Sequence, residues 1–144
     1  MFKNLACVSV AVRNLDECME RYRDQLGFSV MSEIKESQRG FGLRWVEIGH
    51  GEHSFLELIE ASGPGPIDTF LSRHGEGVYQ VRLLVDDLDA TLNELESRGA
   101  RVIRDRSQVP GASRLGWIHP TSTGGVLFEL IEQSDQERSE KVQP

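Results

Sequence analysis

Apolar positions along this chain keep one period, switch to another, and then do both again. In ACVSVAV, residues 6–12, valines fall on every second position, as in a strand with one covered face. From there the period lengthens. Leu15, Met19, Tyr22 and Leu26 form a single stripe at helical spacing. Asn14 and Glu17 make an N-x-x-E start signal for that helix, and Gly27 supplies the stop. The second half repeats the order. VYQVRLLV reads as a strand, Asp87 as a cap, Leu88, Leu92 and Leu95 as the stripe, and Gly99 as the stop.

The two halves also end alike. FLELIEAS, residues 55–62, returns as LFELIEQS, residues 127–134, and the central Glu57 and Glu129 are 129 − 57 = 72 positions apart. Val12 and Val85, Leu15 and Leu88, and Asp16 and Asp89 match at an offset of 73. This is an internal duplication. It predicts an α+β fold of two β-α-β-β-type modules, residues 3–62 and 76–133, within one domain spanning 1–133. The joining segment, 63–75, contains the loop SGPGP and a short helix opened by Pro66. Residues 134–144 are polar and are expected to be a disordered tail. Two small amphipathic modules must share a surface, so they are expected to pack about a pseudo-twofold axis, and a sheet that curves into a cup would enclose the positions it brings together.

That packing would bring four strand positions together: Glu57, Glu129, Cys7 and its repeat-mate Gln80 (80 − 7 = 73). Both faces of each glutamate strand are largely apolar, and a carboxylate there is costly unless it is partnered. Two such carboxylates in a cup suit divalent-ion binding or proton transfer. The alternative is that each lies at an open edge, faces water or pairs with an arginine.

Composition narrows the classes. The 144 residues are 38% hydrophobic and 27% charged, an ordinary globular balance. The net charge of −7 repels phosphate backbones and argues against nucleic acid. No apolar run reaches the ~18 residues a membrane span requires. The first residues lack the pattern of a signal peptide, so the expected location is cytoplasmic. Arg101, Arg104 and Arg106 read as a solvated face or as an anchor for an anionic substrate group. Two cysteines, Cys7 and Cys18, sit in a strand and a helix and are not expected to bridge.

The segments VSVAVRNLDECMERYRDQLGF, FLELIEA followed by PIDTFLSRHGEGVYQV, and WIHPTSTGGVLFELIE resemble the vicinal oxygen chelate superfamily, the glyoxalase, bleomycin-resistance and dioxygenase group. Within it the chain is most similar to the methylmalonyl-CoA epimerase family, over roughly residues 3–133, and the resemblance implies two paired β-α-β-β-β modules forming a cupped mixed sheet. The resemblance implies a divalent metal held at Cys7, Glu57, Gln80 and Glu129. The epimerases usually carry histidine at the Cys7 and Gln80 positions, and both are replaced here. A cysteine ligand favours zinc over harder ions, whereas a buried structural cysteine implies that the metal is lost. His50, His53, His74 and His119 all read as loop or turn residues. An acidic stretch of the epimerases, thought to supply a proton-transfer carboxylate, corresponds to KESQRG, with Glu36 offset and Gln38 nearest the position.

The resemblance implies proton transfer next to a carbonyl or thioester, as isomerisation, epimerisation or a lyase reaction. Glu129 is the first choice for the acid/base and Glu57 the second. Arg44, Arg82 and Arg114 are candidate substrate cations, and Trp45 and Trp117 candidate cup-lining rings. Arg82 follows Gln80 by two positions and shares its face, so it is also able to neutralise a cup glutamate without any metal. The other reading is a metal-free small-molecule binding protein of the bleomycin-resistance type. A homodimer is expected from the resemblance.

Overall fold

The computed structural model describes residues 1–107, 109–110 and 112–132. The tail expected to be disordered, 134–144, lies outside them. The described chain divides into two compact units, Cys7–Gln80 and Met1–Ala6 with Val81 onward. Sequence repeat and compact unit therefore differ at the edges. The joining helix goes with the first repeat, and the first residues of the first strand go with the second.

The first unit contains most of β1 (Phe2–Ala11), then α1 (Leu15–Glu20), β2 (Ser29–Val30), β3 (Lys35–Glu36), β4 (Leu43–His50), β5 (His53–Ala61) and α2 (Pro66–His74). It ends within β6 (Gly77–Val85). Its strands run β2-β4-β5-β1, with β3 also against β4. β1 and β5 are parallel, with Ser9 beside Glu57, while β4 and β5 form an antiparallel hairpin. The sheet is thus mixed.

Alternation along these strands creates two apolar layers. Val46, Ile48 and Leu58 point to the face covered by Leu15 and Cys18 of α1. Ala11 and Ile59 point the other way, against Ile67 and Leu71 of α2. The start of α1 follows expectation, since Asn14 Oδ1 accepts from the Glu17 backbone N–H at 3.0 Å. Its end does not. After Glu20 the helix widens into a π-helical turn, Arg21–Gln25, with Leu26 N–H donating to Arg21 C=O. The wider turn rotates Leu26 off the apolar stripe, and it is exposed rather than packed. Gly27 follows at φ 76°, as a stop requires.

The second unit repeats the scheme with the rest of β6, α3 (Leu88–Ser97), β7 (Val102–Arg104), β8 (Leu115–Ile118) and β9 (Phe128–Glu132). Its strand order is β6-β9-β8-β7, with β6 parallel to β9 and the other neighbours antiparallel. Asp87 Oδ1 caps α3 through the Ala90 N–H. Val85, Leu88, Leu92, Ile118 and Leu130 form the core between α3 and the sheet. Gly116 permits that approach, because a Cβ there would lie 2.9 Å from a methyl carbon of Leu92. Among the described residues no helix is long and apolar enough to cross a membrane.

Candidate functional site

In the first unit the sheet face opposite α1 carries the polar residues. Ser9, Glu57 and Gln80 are 0%, 4% and 4% exposed. Ser9 Oγ donates to Glu57 Oε1 at 3.3 Å, and Gln80 Nε2 donates to Ser9 Oγ at 3.5 Å. Cys7, also buried, lies two residues before Ser9 on the same strand face. Glu47 is the cross-strand partner of Glu57 on β4, with Lys35 Nζ 3.8 Å from its carboxylate. Trp45 lies on this face too, packed with Ile59 and α2 as a wall rather than an exposed ring.

The second unit builds the repeat of this arrangement. Arg82 stands where Ser9 stands (82 − 9 = 73), directly beside Glu129 in the parallel register. Arg82 Nε donates to Glu129 Oε1 at 2.5 Å. Trp117, cross-strand from Glu129, donates through Nε1 to Oε2 at 3.2 Å. Glu129 is 5% exposed, so both its oxygens take donors in a desolvated setting. The glutamates are therefore covered and partnered, and neither lies at a water-facing edge.

Two expected substrate cations have different work. Arg44 lies on the α1 face of its sheet and contacts Glu60 at 3.3 Å and Asp16 at 3.5 Å. Arg114 contacts Asp89 at 2.7 Å and Glu132 at 3.8 Å. Glu60 Oε2 accepts from the Leu15 N–H at 2.5 Å, and Glu132 Oε2 from the Leu88 N–H at 3.0 Å. The final glutamate of each ELIE segment thus satisfies a free donor at a helix start, and an arginine braces it. Side-chain parity puts Arg44 on the opposite face of the sheet from Glu57. Arg114 has the same helix-bracing place in the second unit. Burial of the Cys18 thiol beneath α1 pushes its pKa up, the Glu76 charge adds to this, and Arg21 opposes it.

The chemistry of the donor set decides whether the divalent ion implied by the resemblance fits. Glu129 already accepts an arginine and an indole N–H. A divalent ion ~4 Å from a guanidinium is repelled by roughly 8 kcal/mol at an effective dielectric of ~20. Among the described residues no three His, Cys, Asp or Glu side chains gather in a way that could hold a metal ion. The residues do not fit the ion, and the expectation of zinc through Cys7 is not supported. His50, His53 and His74 lie at element ends rather than in loops, as terminal residues of β4, β5 and α2. His50 and His53 pair at the β4–β5 hairpin, His74 ends α2, and His119 Nδ1 accepts the Thr121 N–H. Glu36 is exposed on β3.

The family described as the Glyoxalase/Bleomycin resistance protein/Dioxygenase superfamily matches residues 8–118. The chain belongs to this superfamily. Among superfamily members, the mitochondrial methylmalonyl-CoA epimerase of Mus musculus is 29% identical over 126 residues, 85% of this chain and 69% of that protein. The crystal structure of methylmalonyl-CoA epimerase from Mycobacterium tuberculosis is 30% identical, with a TM-score of 0.80 over 96% of this chain and 93% of that one. A Streptomyces coelicolor methylmalonyl-CoA epimerase variant, in complex with 2-nitronate-propionyl-CoA, is 25% identical, with a TM-score of 0.82 over 94% and 97% of the two chains. These superfamily structures match the mixed α+β sheet described above.

Sequence reasoning missed Ser9 and Glu47. Ser9 carried a readable signal, since it occupies the repeat position of Arg82 and alternates with Cys7. Glu47 carried none before the β4–β5 register was known, because a hairpin shift of one residue reverses its face.

Proposed function

We propose that this chain is an epimerase-type enzyme that moves a proton at the carbon next to the carbonyl of an acyl-CoA thioester. The likeness to methylmalonyl-CoA epimerases over most of the chain supports the substrate class. The observation that carries the mechanism is the contrast between the glutamates. Glu129, the first choice from the sequence, has one oxygen on the Arg82 guanidinium and the other on the Trp117 indole. Protonating Glu129 would cancel the charge that strengthens its bond to Arg82. The acid/base role falls to Glu57, held by Ser9 within a covered face.

In this reading Glu57 takes the proton from the carbon next to the carbonyl, leaving the electron pair as an enolate, and a second acid returns a proton to the opposite face; the protonated Glu57 exchanges with solvent between turnovers. Trp45 and α2 close one end of the same face. No step is assigned to a metal ion. A cytoplasmic homodimer belongs to the same proposal, and size-exclusion chromatography with light scattering tests the dimer.

Proton NMR in deuterium oxide tests the reaction. Methylmalonyl-CoA should lose its C2 proton signal only when the protein is present. Glu57→Gln should slow that loss by 10²–10⁴-fold, the usual contribution of a general acid/base. A Glu57→Gln variant as fast as the parent would refute the role. Saturable binding of acyl-CoA by the parent without exchange would favour the binding-protein reading instead, for which the misfit to a Lewis-acid ion is the supporting observation.

A further inference from the structure

We propose that Arg82 is a resident cation standing in place of the divalent ion, and that the protein is therefore metal-independent. Three observations converge. First, the parallel register of β6 and β9 sets Arg82 directly beside Glu129, with Nε 2.5 Å from Oε1. Second, Trp117 holds the other oxygen, so both carboxylate oxygens are committed to N–H donors of this unit. Third, the repeat position of Arg82 in the first unit holds Ser9, whose hydroxyl donates to Glu57 at 3.3 Å, so an arginine at this strand position is a difference between the two halves.

The donor chemistry points the same way. The equivalent strand positions Cys7 and Gln80 carry a thiol and a carboxamide in place of imidazoles, and Gln80 turns Nε2, a donor, toward Ser9. The fixed positive charge of the guanidinium repels a divalent cation. A covalently attached charge also needs no loading, so the charge on Glu129 stays neutralised whatever the metal supply. The proposal rests on the superfamily fold and not on the thioester reading. Its tests therefore use metal content and stability, and a failure of the exchange assay leaves it standing.

Protein purified without chelators should carry less than about 0.1 equivalent of any transition metal, and neither EDTA nor added Co²⁺, Mn²⁺ or Zn²⁺ should move Tm by more than about 1 °C, because a specific ligand raises Tm by mass action. About one bound equivalent, removed by EDTA with a fall in Tm, would overturn the proposal. Arg82→Ser, copying the repeat-mate, should lower Tm by about 5 °C, and Arg82→Lys by clearly less, because an uncompensated buried charge is costly. The double variant Arg82→Met with Glu129→Leu should recover part of the loss, since it removes the charge and its partner together. Strictly additive losses when the double variant is compared with Arg82→Met and Glu129→Leu alone, or an Arg82→Ser variant as stable as the parent, would show that the guanidinium is not the partner of Glu129 and would equally overturn it.

Discussion

Removing the Glu60 carboxylate perturbs the structure at one identifiable point, the start of α1. Its Oε2 accepts the Leu15 N–H at 2.5 Å, and Arg44 braces it at 3.3 Å. Three contributions are lost in Glu60→Ala. Satisfying a free N–H at a helix start contributes about 1 kcal/mol by analogy with capping. A negative charge against the positive end of the helix contributes about 0.5 kcal/mol. The partly screened ion pair adds about 0.5 kcal/mol. The total is about 2 kcal/mol, which at a urea m-value of ~2 kcal/mol/M lowers the unfolding midpoint by about 1 M. Glu60→Gln keeps an acceptor but loses the charge, so about half that loss is expected. The repeat supplies a second measurement. Arg44 and Glu60 side chains are 28% and 19% exposed, against 58% and 33% for Arg114 and Glu132. Solvent weakens the second network, and Glu132→Ala should cost less than Glu60→Ala. Urea titrations followed by far-UV circular dichroism read all three. Equal losses for Glu60→Ala and Glu60→Gln, or a larger loss for Glu132→Ala, would refute the reasoning.

The other expectations are narrower. Arg44→Ala and Arg114→Ala should lower Tm while leaving the KM for an acyl-CoA thioester within about twofold, because loss of uniform substrate binding would appear as a rise in KM and none is expected from these groups. Gly49→Ala should be poorly tolerated, since the added Cβ would lie against the His53 carbonyl oxygen; folding yield and Tm check this. Stability should fall on the alkaline side. Burial raises the pKa of Cys18 above 9.0 and that of Tyr22 above 10.0, with Cys18 adding to the Tyr22 shift. In the unfolded chain these groups lose protons at their ordinary values while the native state still holds them. Their contribution is full below about pH 9 and declines as pH rises through the folded values. Cys18→Ala should flatten that decline in denaturation midpoints measured from pH 8 to 11.

Much of this was legible in the chain itself because it depends on period and position. Alternating valines, a 3.6-residue stripe, Asn14 and Asp87 as caps and Gly27 as a stop are local signals, and each half forms the elements they specify. The ELIE repeat located both central glutamates, and the apolar residues on either side correctly implied that they are covered. Strand parity was enough to place Arg82 on the face of Gln80 and to raise pairing with a glutamate.

What period alone left open was decided by register, which sets which side chain stands beside which. The parallel pairings put Ser9 against Glu57 and Arg82 against Glu129, and the hairpin shift between Ile48 and Gly49 put Glu47 opposite Glu57. The π-helical turn moved Leu26 into solvent, an outcome of tertiary packing that residue spacing does not encode. The second glutamate of each repeat looked like an ordinary strand residue until the fold brought a helix start to it. Local pattern fixes elements at low cost in information, whereas the site depends on contacts such as Ser9–Glu57 and Arg82–Glu129, between residues 48 and 47 positions apart. Those contacts exist only once the strands have chosen their neighbours.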